Sequence, residues 1–377
     1  MDIRTNQKRN RLIALSFACV LLLLVYGPLA PWFLTADRFL YDTFASGLPN
    51  RPLDNAIIIS IDPSRSSNDE ILAKYGQVLS VLTRSRAGRI ILPHPPEIAA
   101  DEGLPGWSAA LGGPVPVYVP NDHRLAEMTA RTGFMDLSPD DDGVLRRAGL
   151  WQLNGALMSP SLPLAVTLDN ENLPPSPRMS VSDDTVYLSN YEELPRVPVD
   201  EILFGDFAST RLNEATIFVD HEPALVGASA VLPSGQFVTN SELTAALIAD
   251  LENDRGIMLP AWVSAMQWLA PVLLAILAVL FLPERDRRNI GVICIATVVG
   301  VLLLEMLFLY VLRVRLDIGR AALIFIGVGL LSLWLVGNPR KATQDAFKRG
   351  SDFLAAGRLE PAFAEFRRCS PSDTLAT

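Results

Sequence analysis

Asp140-Asp141-Asp142-Gly143 is the densest group of potential ligands in this 377-residue chain. In a calcium loop turning at Gly143, Ser138, Asp140 and Asp142 would hold ligand positions one, three and five. Position twelve would then be Gly149, where such a loop needs a bidentate glutamate. The spacing predicts a turn instead, with Asp142 in reach of Arg146. A second candidate pair, Asp62 and Ser64, closes the β-branched run Asn55-Ala-Ile-Ile-Ile-Ser-Ile-Asp62. The carboxyl ends of buried strands are where α/β domains place ligands. A turn through Pro63 and Ser64 is the competing role for Asp62. Asp62, Ser64, Asp142 and Arg146 are therefore the candidate ligand-binding residues.

No catalytic residue is assigned, and the chain is not expected to be an enzyme. Ser64, Ser159 and Ser161 lie outside any Gly-x-Ser-x-Gly elbow. No glycine-rich loop ends in Lys-Ser or Lys-Thr. The three histidines, His94, His123 and His221, show no short metal-binding spacing. No metal and no cofactor are expected. Glu305 is a carboxylate deep in an apolar stretch, where such groups need a partner. Arg320, early in the next apolar stretch, is the expected one.

These residues sit in a chain that is 50% hydrophobic and only 19% charged, which argues against a purely soluble protein. Four apolar stretches are long enough to cross a bilayer as helices: 12–34, 261–282, 290–312 and 318–336. The first reads as an uncleaved anchor because its apolar run exceeds a signal-peptide core. Trp32 and Phe33 stand where an interfacial belt would be. Basic residues flank the stretches at Arg4, Lys8, Arg9 and Arg11, at Arg285, Arg287 and Arg288, and at Arg340, Lys341, Lys348 and Arg349. The positive-inside tendency then makes 1–11 and 337–377 cytoplasmic and puts 35–260 in the periplasm of a bacterial inner membrane. Arg313 and Arg315, in the loop after the third stretch, vote against this. Residues 35–260 hold 15 basic and 31 acidic side chains, a net of −16, against +7 elsewhere. That distribution suits a base resting on anionic lipid and disfavours nucleic acid as a partner. The outer segment has no cysteine and must be held by its core.

Within it, strands are predicted at 55–62, 89–92, 115–119, 145–153, 216–220 and 225–230. Helices are predicted from Asn68 through Arg84, near 122–131, and as an amphipathic helix over 240–251 with Leu243, Leu247, Ile248 and Leu251 on one stripe. Alternating strands and helices mean an α/β domain. It is large enough to fold alone, near residues 37–258.

This plan resembles that of bacterial receptors with a type-two CHASE domain, a sensory extracellular domain associated with cyclases and histidine kinases. Asp37-Arg-Phe-Leu-Tyr-Asp42 resembles its first helix, Ile59-Ser-Ile-Asp62-Pro-Ser64 its first core strand and acidic turn. Gly133-Phe-Met-Asp-Leu-Ser-Pro-Asp-Asp-Asp142-Gly143-Val-Leu-Arg146 resembles its most recognisable stretch, and 237–249 its last helix before the membrane. The likeness covers 12–336. It departs at Asn68-Asp-Glu-Ile-Leu, where the family has an aromatic-proline-arginine stretch, and at Pro93-His-Pro-Pro96, where an acidic residue is usual. The glycine usual after the late strand is Asp220, or is displaced to Gly227. The resemblance implies a membrane-anchored receptor. Its α/β extracytoplasmic sensor domain would detect a periplasmic ligand or protein, and four transmembrane α-helices would pass the signal to a cytoplasmic effector. The alternative is an envelope assembly protein whose outer domain binds another protein.

Residues 337–377 read as a short helical cytoplasmic tail similar to one tetratricopeptide unit, with Gly357 at the turn and Ala362 and Phe366 packing between helices. One unit cannot bury its own apolar face. Phe353, Leu359, Phe363 and Phe366 are therefore expected to meet a partner: a missing C-terminal module, a second copy of the chain, or the effector. The same segment resembles the juncture before the kinase in receptors that join this sensor to a Ser/Thr kinase. A tail lying on the lipid headgroups is the competing reading.

Overall fold

The computed structural model describes residues 3–49, 52–62, 67–98, 107–135, 137–154, 157–169, 185–188, 190–205, 207, 209–221, 230–335 and 339–367. The chain forms two compact units. One comprises Arg38–Ala265 and Met306–Leu316; the other comprises Met1–Asp37, Met266–Glu305 and Asp317–Thr377.

The first unit is built on a six-stranded parallel sheet. Its spatial order is Thr132–Gly133, Val117–Pro120, Arg89–Ile91, Thr216–Asp220, Ala56–Ser60, Arg196–Pro198. The β-branched run at 55–62 becomes an interior strand, and successive side chains point to opposite faces. Ile57 and Ile59 join a cluster with Tyr75, Val78, Leu79 and Leu82. Ile58 joins a second cluster with Phe218, Leu164 and Leu247. Ile58 and Ile59 are both fully buried. Each contributes roughly 1.5–3 kcal/mol by leaving water. A run with no polar face is what such a doubly covered strand requires.

The first cluster is roofed by the helix Asn68–Arg84. Its N-cap is Ser67, whose Oγ accepts the Glu70 N–H while the Glu70 carboxylate accepts the Ser67 N–H. The second cluster contains the helix Asn240–Glu252, capped in the same way by Thr239 and Glu242. This helix is not amphipathic as expected. Every residue from Leu243 to Leu251 is buried, including Asp250. The run Ala245-Ala-Leu-Ile-Ala249 has no polar side to offer, so it lies between layers rather than over one.

Strand and helix bounds differ locally. The segment 145–153 is two strands, Arg147–Gly149 and Trp151–Asn154, interrupted at the buried Leu150. Arg147–Gly149 pairs with Thr185–Tyr187, which pairs in turn with Ile257–Met258, all antiparallel. Near 122–131 there is a single 3-10 turn, Arg124–Met128. Of 225–230 only Ala230 is described; with Val231 it forms a short strand antiparallel to Phe237–Val238.

In the second unit the first apolar helix, Ile3–Tyr26, ends earlier than expected. Gly27 and Pro28 follow it, and Trp32 and Phe33 belong to the next helix, Ala30–Ala45. Among the described residues, three helices are long and apolar enough to cross a membrane: Arg9–Tyr26, Trp262–Phe281 and Arg287–Leu312. A fourth apolar helix, Gly319–Leu335, has 17 residues. The tail is a pair of helices, Pro339–Ala355 and Leu359–Phe366, with Gly357 between them in the left-handed region at φ 71°.

Candidate functional site

The predicted partnership of Asp142 and Arg146 exists and is larger than the spacing suggested. The Asp140–Gly143 turn closes with the Gly143 N–H on the Asp140 carbonyl at 2.8 Å, and Gly143 takes φ 79°. This brings Asp140 and Asp142 round to Arg146, whose Nη1 donates to Asp140 Oδ2 and Asp142 Oδ1, both at 2.9 Å. Its Nη2 reaches Asp142 Oδ2 at 2.8 Å. From the Ala30–Ala45 helix, Asp42 takes the other edge of the guanidinium, with Oδ1 on Nε and Oδ2 on Nη2, each at 2.8 Å. Arg146 is 3% exposed and holds three carboxylates. Arg38 and Arg147 approach Asp140 at 3.5 and 3.7 Å.

A buried guanidinium needs this many acceptors, since losing water without compensation costs several kcal/mol. The pairing with Arg146 holds the Asp142 carboxyl down, to about 2. All three carboxylates turn inward on a resident cation, so the turn is a structural knot. No metal-binding group of three or more ligands occurs among the described residues. Upstream in the same motif, Gly133 is required by contact: a Cβ there would stand 2.5 Å from the backbone of Leu162.

Asp62 lies elsewhere, just past the carboxyl end of the Ala56–Ser60 strand. Ser64 is outside the described residues. The structure therefore separates the four candidates into a knot (Asp142 and Arg146) and a strand end (Asp62). Two histidines join the strand end, following the adjacent strands Arg89–Ile91 and Thr216–Asp220. The His94 and His221 rings stack with centroids 5.4 Å apart and planes 12° from parallel. His221 Nδ1 is 3.1 Å from the Tyr75 hydroxyl. Burial, with the neighbouring His94 second, lowers the His221 pKa. Beside it, buried Asp220 lies 3.8 Å from Arg196, which also donates to Glu242 at 3.1 Å. His123 is bound separately: its Nε2 is 3.1 Å from the Pro96 carbonyl and its Nδ1 accepts the Leu125 N–H.

The strand-end cluster offers an exposed imidazole at His94 and a half-buried one at His221, backed by the buried Tyr75 hydroxyl, at the usual ligand edge of a parallel sheet. These groups suit hydrogen bonding to a small polar molecule. Sequence reasoning missed the histidines because it sought metal spacings, and missed Asp42 because Arg146 lies 104 residues away.

The CHASE2 domain family model matches residues 16–282. The chain belongs to the CHASE2 domain family. CHASE2 domains are extracellular sensors, and here the match runs from the first apolar helix through the α/β domain to the second. No curated protein and no solved structure matches the chain.

Two further groups of expected residues belong to the other unit of this CHASE2 protein. Glu305 and Arg320 take different partners rather than each other. Glu305 Oε1 accepts the Ile318 N–H at 2.7 Å. It thus caps the helix Gly319–Leu335, whose positive end favours a carboxylate. Arg320, on the first turn of that helix, reaches Asp37 Oδ2 at 3.1 Å and lies 5.8 Å from the Tyr26 ring centroid. In the tail, Phe366 packs on Phe347 with centroids 5.6 Å apart, and Ala362 is buried. Phe353 is half-buried, whereas Leu359 and Phe363 are about 70% exposed. The expected partner-binding stripe is thus divided: Phe366 closes the helix pair, and Leu359 and Phe363 face outward.

Proposed function

We propose that this protein is a sensory receptor of a bacterial cytoplasmic membrane, without chemistry of its own. The CHASE2 match carries the reading. The α/β domain stands in the periplasm and binds a small polar ligand at the carboxyl ends of its strands, around Asp62, His94 and His221. Four helices cross the bilayer, the 17-residue Gly319–Leu335 as the shortest, at the lower limit for a span. The tail presents Leu359 and Phe363 to a cytoplasmic effector that supplies the output. Engagement of Arg313 and Arg315 within the outer unit supports this topology, because it gives the two dissenting basic residues an extracytoplasmic role.

Thermal-shift screening of the full chain in lipid nanodiscs against small polar metabolites tests the reading. A ligand that stabilises the wild type but neither His221→Ala nor Asp62→Asn is the expected result. Absence of any such ligand, with stoichiometric capture of one envelope protein by the outer domain, would favour the assembly alternative.

A further inference from the structure

The segment Met306–Leu316 is read from sequence as a bilayer end and a short loop. It belongs instead to the compact unit of the outer domain. The α-helix Arg287–Leu307 passes into a π-helical turn, Phe308–Leu312, and Arg313 reverses the chain at φ 54°. From there the backbone joins the domain. The Met258 N–H donates to the Arg313 carbonyl at 2.9 Å, the Arg315 N–H to the Met258 carbonyl at 3.3 Å, and Val314 forms a parallel bridge with Met258.

The side chains follow. The Arg315 guanidinium lies over two rings, 4.5 Å from the Tyr41 centroid and 4.7 Å from that of Tyr187. Tyr41 is itself fixed, its hydroxyl donating to the Leu188 carbonyl at 2.5 Å. Leu309 is buried in a cluster with Tyr41, Ala45, Leu48, Tyr187 and Ile257. The Tyr310 hydroxyl donates to the Phe44 carbonyl at 3.1 Å, against Gly47. Trp262 meets Phe308 edge to face at 6.2 Å. Arg313 places its charge near the buried carboxylate of Asp250.

This is a built interface with a core, backbone pairing and an arginine anchor at Arg315. Tyr187 and Met258 lie on adjoining strands, and the third, Arg147–Gly149, begins beside the Arg146 knot. The family match stops at residue 282, short of the 308–316 segment.

We propose that the Tyr41–Tyr187–Met258 face is a docking site for the chain's own 308–316 segment, and that through it the outer domain acts on the third and fourth apolar helices. The domain is then tied to the membrane helices at three places: the Ala30–Ala45 helix, the exit at 259–262 and this clasp. A change in the outer domain reaches Gly319–Leu335, and the tail beyond it, through Arg315 rather than only along the second apolar helix. The functional part of the proposal rests on the sensor reading; the docking does not.

The test is disulfide trapping in the full chain, in native membranes, with Cys19, Cys294 and Cys369 replaced by alanine. Bridged residues such as Met258 and Val314 have adjacent Cβ atoms, so Met258→Cys with Val314→Cys should oxidise readily. A yield roughly tenfold above the pair Phe204→Cys with Val314→Cys is expected, because docked thiols share a high effective concentration. Adding Arg315→Ala should lower the yield several-fold. Single-cysteine chains that insert and resist protease normally, combined with a double variant that oxidises no faster than the Phe204 control, would overturn the docking. So would impermeant-maleimide labelling of residues 258 and 314 from opposite sides of the membrane. Trapping that forms but leaves the rate at which trypsin cleaves the tail the same in the oxidised and the reduced chain would overturn transmission through the clasp. Failure to find a ligand bears on the sensor reading alone; the trapping yield does not depend on it.

Discussion

The Arg315 guanidinium stacks 4.5 Å above the Tyr41 ring, joining residues 274 positions apart. Tyr187, packed edge to face against Tyr41, lies 4.7 Å from the same guanidinium, so this cation is bound within the α/β unit.

Arg315→Ala should therefore destabilise the outer unit. Each cation–π contact is worth about 0.5–2 kcal/mol. Melting should fall by about 2–4 °C per kcal/mol lost in a unit of this size. For the same reason the excised fragment 38–265 should melt well below a version carrying 306–316, since it lacks Leu309, Tyr310 and Arg315. Calorimetry on the two fragments makes the comparison; equal melting would show that the segment contributes nothing.

Arg146→Ala should be the most damaging single change at the knot. It leaves Asp42, Asp140 and Asp142 facing one another without the cation, a loss of about 3–5 kcal/mol for a broken buried pair. Arg146→Lys keeps the charge but cannot serve three carboxylates with a planar fork, so it should fall between. Denaturant titration ranks the variants. Asp142, held down to about 2, contributes stability that is present above its ordinary pKa near 4 and disappears as pH falls through 2. Asp142→Asn should flatten that acid limb, modestly, because the side chain is 44% exposed.

Asp250 titrates with the opposite sign. Burial pushes its carboxyl up to about 7, against the pull of Arg313 and Arg255. The folded form then binds the proton more tightly than the unfolded form, whose pKa is about 3.9. Its contribution is greatest below that value and is lost as pH rises through about 7. Asp250→Asn should be close to neutral at pH 5 and stabilising at pH 8, by melting temperature in nanodiscs. Greater destabilisation at pH 8 than at pH 5 would contradict the assignment.

Double-mutant cycles separate the two polar contacts of the helical unit. Arg320 should couple more strongly to Asp37 than to Glu305. Glu305→Ala should cost about 0.5–2 kcal/mol as a lost helix cap. Protease resistance of the full chain in membranes reads both, and a dominant Arg320–Glu305 coupling would contradict the observed partners.

Where one residue's neighbours in sequence decide its environment, the fold was legible. The Ile57–Ile59 run declared a doubly covered strand, and the four-residue spacing put Asp142 on Arg146. Contacts made across the chain were not. Asp42 enters the knot from another helix, and Tyr75 meets His221 from 146 residues away. Helix 240–251 was misread because burial on every side erases the polar stripe that periodicity needs. Gly27 and Pro28 ended the first span at Tyr26, a local breaker overruled by the length of the apolar run. Arg313 and Arg315 counted as votes on topology because charge tallies ignore what a cation is bound to.

The account turns on the outer domain and the tail lying on opposite sides of the membrane. Phe204, 78% exposed in the domain, and Phe363, 68% exposed in the tail, are suitable reporters. Each is changed to cysteine in a cysteine-free full chain and treated with a membrane-impermeant maleimide in intact spheroplasts. The account predicts labelling of the Phe204→Cys chain in intact cells and of the Phe363→Cys chain only after lysis. Labelling of the tail in intact cells, with the domain protected until lysis, would contradict it.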